Sequence, residues 1–498
     1  MKKLQPWLLA GASILVLAAT PALAQDNDGA VTTAPANANA PTDPRDTAIS
    51  ALQGQIDALA AQIADLKAST AAGIKDVRDT AASQPVVSVA NGRPTFTSAD
   101  GKFSAAIRAV AQFDAAHYSV SPLRTDNDLD SGTNFRRARL GIDGKAFGDW
   151  SYALWGEFGG SGSEAAILNQ AYVEYDGWKP LGLANPVRLR IGAWATPAGL
   201  EDATSNTDST FLERGASAEL VRGLAGGDGR SSVGFFANGD HWYVSGTLTG
   251  DTVGAPATAE FSEQTGALAR IALNPFHGKD YDVHIGANLS VVFDPADTAA
   301  GAPVTKQLRL RERPELRVDG TRLVDTGNIN SDGLVAYGGE LGASFKNFYA
   351  TSEYYKIDVS RTGASPFDPS FDGWYVQGAW TLTGEHRGWN SANGGFRGIK
   401  PNKNFNPAKG GWGAWEVAAR YSVLDLNDDE GLAGAATPAG GVRGGEQKIT
   451  TVGLNWYPNS TVRFLLDYQW DNIDRLSAAG AQIGEKVHAL SLRSQVAF

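Results

Sequence analysis

Arginine residues recur in three places in this sequence, at spacings that could form a binding surface for anions. The groups are Arg136, Arg137 and Arg139 in NFRRARLGIDGK, then Arg214, then Arg309, Arg311 and Arg313 in KQLRLRERPEL. Alternate side chains of a β-strand point to opposite faces. Leu140 and Ile142 then share one face of the first segment, and Arg137 and Arg139 share the other. The three arginines of the last group also share one face.

The chemistry that such rows could perform is oxyanion binding. Guanidinium offers planar, bidentate donors and keeps its charge at every physiological pH. Along a pore wall, such groups replace an anion's hydration step by step, and each contact is weak enough to release it. Two charges 4 Å apart gain about 1–4 kcal/mol, whereas tenfold selectivity needs only about 1.4 kcal/mol. The alternative is that these arginines are solvated or paired with Glu213, Glu312 and Glu315, which would cancel their charge.

Other chemistry has little support in the sequence. The six histidines show no metal-ligand spacing; they are His117, His241, His277, His284, His386 and His488. No GxSxG nucleophile motif and no strand–GxGxxG–helix unit is present. The formal net charge of −11 argues against a nucleic-acid partner. We therefore predict no catalytic residue, no metal, no cofactor and no enzymatic activity.

Segments of alternating apolar and polar residues must position the arginines. In the last one, KVHALSLRSQVAF, Leu490, Leu492 and Val496 lie on one face, opposite Arg493 and Gln495. Similar segments recur from about residue 96 onward, at 103–113, 187–192, 374–382, 415–423 and 461–470. Their length of about ten residues suits a tilted strand that crosses a bilayer.

The closed arrangement of these strands follows from their two faces. A soluble sandwich would need a second sheet to cover each apolar face, whereas a membrane barrel places all of them against lipid and leaves no open edge. Long connections at 119–134, 196–214, 294–313 and 428–445 alternate with short ones such as Tyr457–Asn459. At about 50 residues per hairpin, the pattern predicts an all-β, transmembrane antiparallel β-barrel of about 16 strands over residues 96–498.

The residues before the barrel divide into four segments. Residues 1–24 have two lysines, an apolar run and an Ala-Leu-Ala cleavage site, and predict a signal peptide. Residues 25–43 predict a disordered linker and 70–95 a second linker. Between them, residues 44–69 predict a coiled-coil helix. Its seam consists of Ile49, Leu52, Ile56, Leu59, Ile63 and Leu66. After 1–24, no apolar run of 18 residues remains, so we expect membrane insertion only through the barrel.

From about residue 96 to 498 the chain resembles the phosphate-selective (O/P-type) porins. The similarity rests on several motifs in order: NFRRARLGIDGKAFGDW (134–150), AYVEYDGWKPL (171–181), GLEDATSNTDSTFLERG (199–215), RERPELRVDGTRLVDTG (311–327), SFDGWYVQGAWTLTGE (370–385), GGWGAWEVAARYSVLDLND (410–428), LNWYPN (454–459) and the terminal QVAF. The coil is similar to extensions that some members carry.

The resemblance implies a trimeric outer-membrane barrel whose third loop folds into the lumen. It assigns Arg136, Arg137, Arg214, Arg311 and Arg313 to an arginine ladder and a central anion site. Ser205 matches a hydroxyl of the constricting loop, to which Asp202, Asn206 and Glu213 also belong. Asp202 lies where phosphate-binding members carry a lysine, and Asn206 replaces a second serine. A carboxylate at 202 would repel phosphate, so the resemblance implies anion conduction more strongly than phosphate specificity.

We therefore expect a passive outer-membrane channel for small anions, with phosphate or polyphosphate as the expected solutes. The alternatives are a porin for another solute, and a structural barrel that the coiled coil tethers to the cell wall. The expected partners are inorganic anions, outer-membrane lipid, two further copies of the chain and the barrel-assembly machinery, which would bind through Phe498. The coiled coil is expected in the periplasm.

Overall fold

The computed structural model describes residues 43–90, 92–122, 129–160, 167–253, 262–297, 306–363 and 367–498. The predicted signal peptide 1–24 and all but the last residue of the predicted linker 25–43 lie outside these residues. The chain divides into two units, Met1–Asp79 and Thr80–Phe498. No helix in the described ranges is both long enough and apolar enough to cross a membrane.

Helix α1 spans Pro44–Ser83 and buries none of its side chains. Asp43 caps its start by accepting a 2.9 Å hydrogen bond from the Arg45 backbone. The predicted helix end at residue 69 is therefore wrong, as is the linker at 70–95. Gly73 costs a helix only about 1 kcal/mol, and the next residue that disfavours helix is Pro85. The predicted seam is exposed along its length.

A short hairpin follows the helix within the predicted linker. Strands β1 (Val86–Ala90) and β2 (Arg93–Thr97) pair with each other, and β2 pairs with the first barrel strand at Ser104–Ala106. The last barrel strand pairs with that same strand from Val110 onward. The hairpin therefore extends the sheet beyond the end of the last strand.

Sixteen antiparallel strands close a barrel in the described part of the chain, as the sequence predicts. The first nine are β3 (Ser104–Ser121), β4 (Gly132–Ala146), β5 (Trp150–Glu157), β6 (Ile167–Trp178), β7 (Val187–Trp194), β8 (Arg230–Asn238), β9 (Trp242–Thr252), β10 (Thr265–His277) and β11 (Tyr281–Asp294). Three two-residue strands follow in a loop: β12 (Gln307–Leu308), β13 (Arg311–Glu312) and β14 (Val324–Asp325).

The other barrel strands are β15 (Ile329–Phe345), β16 (Phe348–Arg361), β17 (Ser370–Thr381), β20 (Ala414–Asp428), β21 (Val442–Tyr457), β22 (Val462–Asp474) and β23 (Lys486–Ala497), with the short pair β18 (Trp389–Asn390) and β19 (Gly395–Phe396) before β20. Strand β23 pairs with β3 over twelve residues, from Lys486 opposite Ser121 to Ala497 opposite Val110. This pairing closes the sheet and leaves neither strand with an open edge there.

The two faces of each barrel strand are in different environments. In β23, Leu490 and Leu492 are exposed on the outer surface, whereas Arg493 and Gln495 are buried inside. The outer apolar side chains have no protein cover, so hydrocarbon is the environment that suits them. The predicted alternation is confirmed, with guanidinium groups on the inner face.

Two connections between barrel strands fold inward and are longer than the sequence predicts. Residues 195–229, here called loop L3, contain helices α2 (Leu200–Ala203) and α3 (Ala216–Ala225). Residues 295–328, here called loop L5, contain β12 to β14 and include two ranges that the structure describes, 295–297 and 306–328. Leu220 and Val221 of α3 pack with Leu310 and Leu323 of L5 in one buried cluster. The lumen therefore has an apolar core made by its own loops.

The end of the barrel with short turns carries one long connection, which corrects the expectation that all its turns are short. Residues 382–413, here called segment T, bury Trp389, Phe396 and Ile399. Arg387 of this segment pairs with Glu416 at 2.8 Å inside the barrel. The segment's Gly, Asn and Pro content suggests a surface loop, and Leu382, Phe405 and Trp412 do stay exposed, whereas the three buried side chains are removed from water.

The exposed seam of α1 generates a prediction about assembly. Leu59→Cys should form intermolecular disulfides readily, because inner positions of a parallel coiled coil come within disulfide reach. The natural chain has no cysteine, so each new thiol reports one position. The measurement is the yield of cross-linked chains after mild oxidation.

The matched control is Ala61→Cys, which lies on the opposite side of the same helix turn. Equal cross-linking of the two variants would contradict a coiled coil with this seam.

Candidate functional site

A β-bulge aims two adjacent arginines of β4 into the barrel. Gln112 of β3 pairs with Arg137, and Phe113 pairs with Phe135, so Arg136 is an extra residue. Arg136 and Arg137 are both buried, while Phe135 is exposed on the outer face. Strict alternation would send one of the two arginines outward, so the bulge is what brings both to the lumen.

Loop L3 is fastened to the inner wall by side chains of four strands. Gln112 of β3 donates to the Asn206 carbonyl at 3.3 Å, and Gln495 of β23 donates to the Thr207 carbonyl at 3.0 Å. Further along, Asn455 donates to the Thr210 carbonyl at 2.8 Å, and Asp467 accepts from the Leu212 backbone at 2.8 Å. Residues 206–212 therefore follow the wall of the lumen.

The start of α2 is held by one buried carboxylate. Glu353 of β16 accepts hydrogen bonds from the Leu200 backbone at 2.6 Å and from the Glu201 backbone at 2.9 Å. The hydroxyls of Tyr355 and Tyr375 donate to the same carboxylate at 2.7 Å each. Four donors on one carboxylate fix the backbone at the base of L3.

A polar cavity of about 360 Å³ lies beside the tip of L3. Its charged side chains are six arginines and three aspartates: Arg108, Arg137, Arg139, Arg214, Arg222, Arg463, Asp202, Asp208 and Asp228. Ser205, Asn206 and Thr207 supply hydroxyl and amide groups. Arginines thus outnumber carboxylates among the lining side chains, although Glu213 and Glu219 behind the lining pair with Arg137 and Arg214.

Glu213 connects β4 with the last barrel strand, β23, through ion pairs with their arginines. Its carboxylate lies 2.9 Å from Arg136 of β4 and 2.6 Å from Arg493 of β23, with Arg137 at 3.8 Å and Arg317 at 3.9 Å. These arginines hold the pKa of Glu213 well below its ordinary value, although burial opposes them. Its contribution to stability is present above the ordinary carboxyl pKa and is lost as the pH falls toward the lowered one.

A second set of ion pairs links L3, α3 and β4. Asp202 lies 2.7 Å from Arg222 and 3.2 Å from Arg214, and its other oxygen accepts from the Ala198 backbone at 3.1 Å. Glu219 lies 3.0 Å from Arg214, and Asp228 lies 2.9 Å from Arg139. Burial raises the pKa of Glu219, but Arg317, Arg222 and Arg214 lower it to about 2. Many of the predicted anion-binding arginines are therefore already paired.

The predicted residues divide between three places. Arg137, Arg139, Arg214, Asp202, Ser205 and Asn206 meet in the cavity, and Arg136 and Glu213 form ion pairs behind it. Arg309, Arg311 and Arg313 of L5 are not among the described lining residues. Arg309 pairs with Asp325 at 2.8 Å, and the Arg313 carbonyl accepts from Gln447 at 3.3 Å. The three arginines lie in a loop rather than in a barrel strand, and they do not share one face, because Arg309 and Arg311 are exposed whereas Arg313 is buried.

Three cavity arginines were missing from the predicted site. Arg108 and Arg463 lie on the polar faces of alternating segments, so their side of the strand was predictable but their proximity to L3 was not. Arg222 lies in α3, for which the sequence carried no signal. The Arg463 guanidinium lies 4.8 Å from the centre of the Tyr457 ring and donates to the carbonyls of Thr207 and Thr210 at 3.3 and 3.4 Å.

Metal-binding geometry is not found in the described ranges, where no three His, Cys, Asp or Glu side chains could hold an ion. Carboxylates near the cavity instead face guanidinium groups, as the pairs of Asp202 and Asp228 show.

Sequence comparison identifies similar proteins. A family profile described as phosphate-selective porin O and P matches residues 107–498. Porin O of Pseudomonas aeruginosa is 27% identical over 397 residues, which cover 76% of this chain and 85% of that protein. An uncharacterized protein of Caulobacter vibrioides is 28% identical over 429 residues, which cover 81% of this chain and 77% of that protein.

Structure comparison identifies outer-membrane proteins with low identity. OmpT of Vibrio cholerae matches with a TM-score of 0.46 and 10% identity, covering 80% of this chain and 98% of that chain. An anion-selective porin from Comamonas acidovorans matches with a TM-score of 0.41 and 12% identity, covering 80% of this chain and 100% of that chain.

The pairing around Glu213 generates a stability prediction. Glu213→Gln should lower the thermal unfolding midpoint of the detergent-solubilised barrel, because it leaves Arg136 and Arg493 buried with less compensation. Loss of one partner of a buried ion pair costs about 3–5 kcal/mol. The control is Glu446→Gln. Glu446 pairs with Lys448, whose side chain is 42% exposed, and such a pair should contribute at most about 1 kcal/mol. Equal midpoints for the two variants would refute the role assigned to Glu213.

Glu201 generates a prediction about pH. Burial, with Glu353 adding to it and Arg420 opposing it, raises the pKa of Glu201 from 4.5 to about 7. Between these values the folded chain holds a proton that the unfolded chain has released, so stability falls as the pH rises through this window. In Glu201→Gln the free energy of unfolding should fall by roughly 3 kcal/mol less over this pH window than in the natural protein. Unfolding midpoints of both proteins at pH 4.5 and pH 8 provide the measurement, and parallel pH profiles would exclude this effect.

Proposed function

The chain belongs to the phosphate-selective porin O and P family, and from this premise we propose that it passes small oxyanions, phosphate among them, through the cavity beside L3. As a member of that family it is an outer-membrane β-barrel porin, a channel rather than an enzyme. Passage is passive, driven by the concentration gradient of the solute.

The observation that carries the proposal is the charge of the cavity lining. Six arginines face three aspartates there, in a chain whose formal net charge is −11. Local lining charge, rather than total charge, sets the potential that a solute meets in a narrow passage. A small uncompensated positive charge is sufficient, since tenfold selectivity corresponds to only about 1.4 kcal/mol.

Arginines that are partly paired with carboxylates are better suited to the passage of anions than unpaired arginines would be. Arg214 and Arg139 each contact a carboxylate of the network, which weakens their hold on a passing anion. Arg463 has no carboxylate within ion-pair distance among the described residues and donates only long hydrogen bonds. A passage needs sites that bind well enough to admit the solute and weakly enough to release it.

Asp202 need not exclude phosphate in this arrangement. Arg222 and Arg214 share its carboxylate charge, and the Ala198 backbone donates to its second oxygen. An entering oxyanion therefore meets a carboxylate that is compensated on both sides. We keep phosphate as the expected solute on this ground, and a porin for another anion as the alternative.

The assembly that we propose has three copies of the chain. The exposed seam of α1, with apolar side chains from Ile49 to Leu66, offers one surface for it. Phe498 completes the ladder at the barrel seam, since its backbone donates to Ala109 at 3.0 Å and accepts from it at 3.1 Å. The backbone of this strand is available to the assembly machinery until the barrel closes.

Arg463 provides a test of ion selectivity. Arg463→Gln should shift the reversal potential in a salt gradient toward cations and lower the anion-to-cation permeability ratio about fivefold, because about 1 kcal/mol of attraction is lost. The measurement uses single channels in planar bilayers.

The matched control for Arg463→Gln is Arg443→Gln. Arg443 is equally buried but donates to the Glu430 carbonyl at 2.7 Å and the Ser477 carbonyl at 2.8 Å, away from the cavity lining. Cation preference in the natural protein, or identical reversal potentials for the two variants, would overturn the anion proposal.

Asp202 provides a test of phosphate against chloride. Asp202→Asn should strengthen the block of chloride current by phosphate several-fold, because one negative charge leaves the cavity while the side chain keeps its shape. The control is Asp372→Asn on β17, which is not a lining residue. Unchanged block in Asp202→Asn would place phosphate outside this cavity.

A further inference from the structure

A shallow apolar groove of about 570 Å³ crosses the outer surface of the barrel over β15, β16, β17 and β20. Its floor consists of small residues at outward-facing strand positions: Ala343, Ala350, Gly378 and Ala419. Phe345, Phe348 and Trp380 form its wall at the end with short turns. The rings of Phe348 and Trp380 stack at 5.8 Å, in the manner of an aromatic girdle at a membrane interface.

A lysine lies at the aromatic end of this groove. Lys346 occupies the two-residue turn between β15 and β16, and its ammonium is 5.3 Å from the centre of the Phe345 ring. Its side chain is exposed, and no carboxylate of the described residues lies within ion-pair distance of it. Its charge is therefore available to an anion at the membrane surface.

A second groove on the same surface differs in the pairing of its neighbouring lysine. It covers about 880 Å³ between β5 and β10 and also ends at aromatic rings, Trp150 and Tyr175. Beside those rings, however, Lys145 pairs with Asp176 at 3.7 Å. The two grooves thus share apolar linings and differ in whether the neighbouring lysine is compensated.

We infer that the groove over β15–β17 and β20 binds an anionic phospholipid of the periplasmic leaflet, with one acyl chain along the small residues and the headgroup phosphate on Lys346. The short turns of such barrels face the periplasm, which sets the leaflet. The apolar floor recognises the chain, and charge complementarity at Lys346 recognises the headgroup. This site lies outside the lumen and does not depend on the solute that the channel passes.

The test is native mass spectrometry of the intact protein supplied with equal amounts of phosphatidylglycerol and phosphatidylcholine that carry the same acyl chains. The natural protein should retain phosphatidylglycerol about fivefold over phosphatidylcholine, since one basic residue near a membrane surface contributes about that factor. Lys346→Gln should abolish this preference, and the control Lys145→Gln should keep it. A preference that survives in Lys346→Gln, or is absent from the natural protein, would overturn the proposal.

A second variant tests the acyl-chain half of the site. A Cβ atom at Gly378 would meet only the Tyr349 carbonyl oxygen, at an ordinary 3.7 Å, and the position faces the open groove, so Gly378→Ile should fold and fill the groove. The variant should retain neither lipid at this site. Unchanged electrophoretic mobility before and after heating is the check that the variant has folded. Full retention in a folded Gly378→Ile variant, or a groove covered by a neighbouring copy so that no lipid binds, would refute the assignment.

Discussion

Pairing of arginine with carboxylate inside the barrel is the interaction on which the rest of this structure depends. A buried charge is tolerated only when a partner compensates it, and here the partners come from different elements. Glu213 of L3 meets Arg136 of β4 and Arg493 of β23. Each pair therefore fixes a loop to the wall as well as compensating a charge, and the cavity is the space that this fastening leaves.

The same requirement explains why the cavity keeps a modest positive excess. The charge of an arginine that also anchors a loop is partly compensated by a carboxylate, as Asp202 compensates Arg222. Others interact mainly with neutral groups: Arg463 donates to carbonyls and stacks on Tyr457. Stability and solute attraction thus draw on different members of one set of side chains.

The fold was predictable because its signal is local. The alternation of apolar and polar residues in segments such as 486–498 arises because one face of the strand meets lipid and the other meets the polar lumen. The number of strands follows from the length of a hairpin. The site was only partly predictable, since it depends on contacts between distant residues. Nothing local marks the bulge that turns Arg136 inward, the helix that brings Arg222 to Asp202, or the inward path of segment T. Helix α1 also continues to Ser83, past its predicted end, because Gly73 alone is a weak stop.

The tip of L3 is tied to the first and last barrel strands at once, through Gln112 of β3 and Gln495 of β23. Those two strands are remote in sequence and come together only when the cylinder shuts. Because both strands hold the loop tip, its fastening is completed in the same step that closes the sheet. A chain whose last strand has not docked therefore lacks one of the two glutamines that hold the loop tip against the wall, and the cavity is a product of barrel closure.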